Sequence, residues 1–171
     1  MITIDKVVGN IKKDQKLREK YDDLCSRKLC ETVKITRLES SRVRMRKVSD
    51  KGTDIALILP QGAQLRDGDI IMLDPDKVII IEIEPENVAM VEIEKNIEQD
   101  HITEVLVTVG HTIGNLHRPI KLEGNKIYFP IQADAELEMF SKLFAHIRDH
   151  LKIEKTKMVF EPKEGTELHE H

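Results

Sequence analysis

Tryptophan is absent from this chain, and aromatic residues make up only 4% of it. The hydrophobic share is 40% of 171 residues, enough for the modest cores of one large domain or two small ones. Excess positive charge is missing too: the net charge is −4 and the isoelectric point lies near 6.0. Nucleic acids and anionic membranes require clustered Lys and Arg, so neither is expected as a partner. No apolar run approaches the roughly 18 to 20 residues of a membrane helix. The start, Met1-Ile2-Thr3-Ile4-Asp5-Lys6, has no basic segment followed by an apolar one, and a cytoplasmic protein is expected. Cysteine is nearly absent. Cys25 and Cys30 have four residues between them, which suits neither a redox Cys-x-x-Cys pair nor a zinc knuckle. In a reducing compartment they read as structural thiols, with soft-metal ligation as the alternative. There is no Gly-rich phosphate loop, no G-x-S-x-G elbow and no H-E-x-x-H. Carboxylates alternate with apolar residues in Glu82-Ile83-Glu84 and Glu92-Ile93-Glu94, as the outer faces of strands do. An enzyme is not expected.

What the chain does hold, up to residue 84, is a series of short strands with turns between them. Thr32 to Leu38 and Arg42 to Val48 alternate apolar with polar or basic positions, the period of half-buried strands. Asp50-Lys51-Gly52, Pro60-Gln61-Gly62 and Arg66-Asp67-Gly68-Asp69 punctuate Thr53 to Leu59 and Ile70 to Leu73. Val78 to Ile83 opens with an apolar run that indicates burial on both faces. Such spacing predicts an all-β, sandwich-like or small-barrel unit over residues 1–84. The basic residues Lys34, Arg37, Arg42, Arg44, Arg46 and Lys47 cluster on the early strands, where they protect an edge or dock an acidic partner.

Pro85-Glu86-Asn87 marks a change of pattern. Val88 to Ile93 reads as a strand, and Asp100 as the cap of a helix with Ile102, Leu106, Val109 and Ile113 on one stripe. Glu123-Gly124-Asn125-Lys126 is a hairpin signal between two short strands. Asp134 then caps a second helix with Leu137, Phe140, Phe144, Ile147 and Leu151 on its buried face, and Lys157 to Phe160 closes as a strand. The order strand, helix, strand, strand, helix, strand is the ferredoxin-like βαββαβ pattern, so the fold class expected is α+β with an all-β unit first and a ferredoxin-like domain over 85–162. Residues 163–171 form a polar tail without apolar anchors, expected to be mobile.

The candidate chemistry centres on Gly114-Asn115-Leu116-His117-Arg118-Pro119-Ile120, where the first helix stops. Gly takes the left-handed conformation there without a Cβ penalty, and the turn so fixed carries His117. The segment resembles the Gly-Asn-Arg-His signature of the UreE urease accessory proteins, nickel metallochaperones, with Leu116 where that signature has Arg. Gly52-Thr53-Asp54-Ile55-Ala56-Leu57-Ile58-Leu59-Pro60 and Leu65-Arg66-Asp67-Gly68-Asp69-Ile70 look like the N-terminal domain of the same family.

The resemblance implies a homodimer that shares one Ni2+ between two His117 side chains, with Zn2+ or Cu2+ able to substitute in vitro. His169 and His171 on the tail would supply further donors. His111, and His146 with His150 four residues apart on the second helix, are auxiliary candidates, whereas His101 near a helix start is weaker. Partners implied by the family are the urease accessory GTPase UreG and the urease apoprotein assembly complex. A Ni, Cu or Zn buffer and a metal-free protein-interaction module are the rival readings.

Overall fold

The computed structural model describes residues 1–162, which form two compact units divided between Glu84 and Pro85. No helix among them is long and apolar enough to cross a membrane. The first unit holds β1 (Ile2–Ile4), β2 (Gly9–Asn10), α1 (Gln15–Ser26), β3 (Cys30–Ile35), α2 (Arg37–Ser40), β4 (Arg44–Val48), β5 (Asp54–Ile58), β6 (Asp69–Asp74) and β7 (Lys77–Ile83). Its strands form two sheets, in the orders β1-β5-β4 and β2-β6-β7-β3. The pairs β1 with β5 and β3 with β7 are parallel. Strand β7 has a neighbour on each side, and Val78, Ile79, Ile80 and Ile81 are all buried, as an apolar run predicts.

This unit is not all-β. Helix α1 is capped by Asp14, whose carboxylate accepts from the Lys16 and Leu17 amides at 2.9 and 3.2 Å. Leu17, Tyr21 and Leu24 share its buried face and pack with Ile70 and Val78. Gly9 lies under this face, where an added Cβ would collide with the Leu17 Cδ1 methyl. The strand expected to reach Leu38 stops at Ile35, because Thr36 and Glu39 close a reciprocal capping box that starts α2. Strand β4 is the edge of its sheet, with Arg44 and Arg46 on the exposed side.

A buried polar network ties the two sheets together. Glu31 of β3 accepts from Ser49 Oγ at 2.6 Å and pairs with Lys77 Nζ of β7 at 2.7 Å, while Lys77 also donates to Thr53 Oγ1 at 2.8 Å. Ser49 and Thr53 belong to the turn between β4 and β5, so one carboxylate joins both sheets.

The second unit runs β8 (Glu86–Ile93), α3 (Gln99–Asn115), β9 (Lys121–Glu123), β10 (Lys126–Pro130), α4 (Ala135–Leu143), a 3-10 turn (Ala145–His150) and β11 (Leu151–Met158). Its sheet has the order β11-β8-β10-β9, with every pairing antiparallel. Gly124, at φ 60°, turns the β9–β10 hairpin in two residues. Helix α3 lays Val105, Val109 and Ile113 onto Ala89, Val91, Phe129, Phe140 and Phe144. Leu106, expected on the buried stripe, is 48% exposed instead. The second helix is shorter than its apolar spacing predicts. It ends at Leu143, the 3-10 turn carries Ile147 into the core, and Leu151 already belongs to β11 rather than to the helix. The last strand is therefore Leu151–Met158, not Lys157 to Phe160.

Candidate metal site

Helix α3 runs through both Gly114 and Asn115, and the chain turns after Leu116, its C-cap residue. The left-handed position falls on His117, at φ 50°, and not on Gly114 as expected. The His117 amide closes on the Gly114 carbonyl at 2.9 Å, the Leu116 amide on the Ile113 carbonyl at 3.2 Å. Histidine visits this region more readily than most residues, yet an L-side chain there carries roughly 1–2 kcal/mol of strain. The strain is held from the far side as well. Arg118 donates to Glu136 Oε2 at 2.7 Å and to the Pro130 carbonyl at 3.3 Å. The other oxygen of Glu136 accepts from the Gln132 and Ala133 amides at 2.8 and 3.3 Å, so the entry to α4 anchors the residue after His117. The imidazole of His117 is thereby exposed on a backbone that cannot relax freely.

The solvent face of α3 leads toward this residue. Leu106, Val107 and Leu116 are 48%, 64% and 38% exposed, and Gly110 and Gly114 leave the space beside the helix open. His111 lies on the exposed part of the helix, but its Nε2 is 2.9 Å from the Asn115 side-chain nitrogen. With that amide donating, Nε2 is the acceptor, and the lone pair a metal would take is engaged.

The other histidines are arranged differently from their sequence spacing. His146 and His150 sit on the 3-10 turn, whose three residues per turn carry positions four apart to different faces. Instead, His150 stacks on His101 of α3, with ring centroids 6.1 Å apart and planes inclined by 23°. His169 and His171 lie outside the described residues. Among the described residues no group of three or more His, Cys, Asp or Glu stands ready to hold a metal ion. His117 therefore offers one imidazole, and a borderline cation needs about four or more donors.

The basic side chains of the first unit are mostly neutralised where they stand. Arg46 forms a two-pronged contact with Asp54 at 2.8 and 2.9 Å, which holds the Asp54 carboxyl below its usual range. Lys47 meets Glu39 at 2.7 Å, and Lys34 lies 3.9 Å from Glu82. Edge protection accounts for the pattern.

Residues 4–84, the first unit but for its first three residues, match the UreE urease accessory protein N-terminal domain. The urease accessory protein UreE of Natronomonas pharaonis is 31% identical over 134 residues, which cover 78% of this chain and 61% of that protein. Over most of its length the chain is similar to the UreE urease accessory proteins. UreE proteins of Yersinia pestis (strain Pestoides F) and Yersinia pseudotuberculosis (serotype O:1b) are each 28% identical over 155 residues, covering 88% of this chain and 65% of theirs. The chain thus spans less than two thirds of the length of these UreE relatives, whose names are those of accessory proteins and not of enzymes. Two features of the site escaped sequence reading. The Arg118–Glu136 clamp left one signal, a Glu three residues after Ala133 at a helix start, the reach-back spacing of a capping box. The His101–His150 pair left none, since it depends on where the 3-10 turn ends.

Proposed function

We propose that this protein is a urease accessory metallochaperone, which carries nickel at a homodimer interface and delivers it to the urease assembly machinery. The observation that carries the reading is His117: exposed, strained at φ 50° and clamped by its neighbours, at the end of an apolar helix face flattened by Gly110 and Gly114. Two copies meeting about a two-fold axis would bring two such imidazoles together and cover the face in one step. Neutral imidazole suits Ni2+, and also Cu2+ or Zn2+ in a test tube. The second unit, with its sheet order β11-β8-β10-β9, is read as a ferredoxin-like metal-binding and dimerisation domain, and the first as a partner-binding domain.

In this reading two His117 side chains hold the ion, and His169 or His171 completes its coordination. A site with so few fixed donors suits a carrier, because release proceeds by exchanging one ligand at a time with the recipient. That recipient is taken to be the accessory GTPase UreG within a cytoplasmic urease assembly complex. The test is a nickel titration by calorimetry, with the mass in solution recorded at the same concentration. One tight site per two chains, lost in His117→Ala, is the expected result. A tight site unchanged by His117→Ala, or one per monomer, would overturn the proposal.

A further inference from the structure

We propose that the sheet face of the second unit turned away from its helices carries a binding site for an aliphatic diamine, an apolar chain with a cationic amine at each end. Alternation along β8 and β10 divides the two faces. Ala89, Val91 and Phe129 pack with residues of α3 and α4, whereas Val88, Met90 and Tyr128 point the opposite way and pack with Phe160 and Met158. Beside this second cluster lies a cavity of about 340 Å³, with Met90, Tyr128 and Met158 along its apolar side and Glu123, Glu154 and Lys155 along its rim. All six residues belong to the second unit. Tyr128 marks the cavity as a built one. It is 9% exposed, and among the described residues nothing pairs with its hydroxyl. No sealed side-chain oxygen or nitrogen lacks a partner among these residues, so the Tyr128 hydroxyl opens into the cavity that its residue lines. Phe129, beside it in sequence, shows that a plain ring suffices where burial alone is needed.

Strand register places the charges. Glu154 of β11 stands opposite Met90 of β8, Met90 opposite Tyr128 of β10, and Tyr128 opposite Lys121 of β9, with Glu123 two residues on and therefore on the same face. Met90 and Tyr128 thus lie between carboxylates carried by the two edge strands. These strands are three spacings apart, roughly 14 Å between backbones, and both glutamates reach the one cavity. Each carboxylate has a lysine neighbour on its own strand: Lys121 lies 2.8 Å from Glu123, and Lys152 lies 2.9 Å from Glu154. Surface pairs of this kind are weak, and a carboxylate with two oxygens keeps room for a further donor. Lys155 on the rim is drawn to Asp134, at 2.8 and 3.0 Å. An anion would therefore meet two carboxylates and a lysine already neutralised, and a single amine would satisfy one end alone. A chain with an amine at each end serves both carboxylates. Its methylenes lie over Met90, whose thioether adapts to irregular apolar surfaces, and the Tyr128 hydroxyl accepts one of its N–H groups.

The experiment is calorimetry on the full chain, free of metal ions, with cadaverine (1,5-diaminopentane) and with pentylamine, the same chain carrying one amine. One cadaverine per chain is expected, bound several-fold more tightly than pentylamine and unaffected by His117→Ala. Tyr128→Phe keeps the buried ring and removes only the hydroxyl, and it is expected to weaken cadaverine roughly 10-fold. Glu123→Gln and Glu154→Gln are expected to weaken it several-fold each and to narrow the gap between the two amines. Proton NMR of the unaltered chain gives a readout independent of variant folding: cadaverine is expected to shift the ring signals of Tyr128, assigned by their loss in Tyr128→Phe, and to leave those of Tyr21 in place. Absence of binding at millimolar cadaverine, equal affinity for the two amines, or undiminished binding by Tyr128→Phe would overturn the site.

Discussion

His117 couples two properties that substitution can separate. Its φ of 50° strains any L-residue, whereas its imidazole is what a metal needs. Replacing it by Gly relieves the backbone, and replacing it by Ala does not. Thermal unfolding is therefore expected to place His117→Gly about 1 kcal/mol above His117→Ala, although both remove the proposed metal ligand. Equal stability of the two would show that the position is not strained. The clamp beside it makes a second prediction. The Arg118–Glu136 contact is largely buried, with side-chain exposures of 23% and 17%, and Arg118→Ala is expected to cost roughly 1–2 kcal/mol in urea unfolding. The same variant should weaken nickel binding without removing a ligand; unchanged affinity would rule out a positioning role. At this scale the sequence was misleading about how His117 is held. Gly114 has the freedom to turn the chain, yet the helix passes through it, because the Leu116 and His117 amides still find carbonyl partners one turn back.

At the scale of elements, α3 was legible as a helix, but its buried side was ambiguous because two of its faces are apolar. In α3, both the stripe through Leu106 and the one through Val105 have helical spacing, and only packing against Phe129 and Phe140 decides for Val105. Helix α1 was missed because its single stripe of Leu17, Tyr21 and Leu24 is embedded in charged residues, while its cap, Asp14, lies in a run with no apolar periodicity. The second helix was overextended because apolar spacing continues across the 3-10 turn, which tightens the rotation without interrupting the stripe. The misplaced Leu106 has a consequence. Together with Val107 it leaves the α3 face apolar and exposed in the single chain, where a charge costs no core packing. Val107→Glu is thus expected to fold normally by circular dichroism and to run as a monomer in analytical ultracentrifugation, with weakened nickel binding. A dimer of undiminished stability would move the interface elsewhere.

Over the whole molecule, the β4–β5 and β9–β10 hairpins follow from local turn signals, but the parallel pairs β1 with β5 and β3 with β7, like the antiparallel pairs β2 with β6 and β8 with β11, join segments far apart in the chain. No local pattern reports which distant strand will be a neighbour, and the buried residue that helps fix the first unit, Glu31, looks in sequence like any outward carboxylate of a strand. Its environment sets an acid limit on stability. Burial alone would raise its pKa, but hydrogen bonds from Lys77, Ser49 and Thr53 outweigh burial and bring it from 4.5 to about 2. A carboxyl depressed in the folded state stabilises it above the unfolded value and loses that contribution as pH falls toward the folded one. Between pH 4.5 and about 2 the unfolded chain binds the extra proton, and stability falls in that window. The ceiling is on the order of 3 kcal/mol, reduced by the residual exposure of Lys77. Glu39, depressed by Lys47 and the Thr36 amide, adds a contribution of the same sign. Denaturant unfolding measured at pH 7, 4.5 and 3 is therefore expected to fall less steeply for Glu31→Gln than for the unaltered chain, with the variant already less stable at pH 7. Parallel profiles would mean that Glu31 is not the group titrating, and that the two sheets are held by their apolar faces alone.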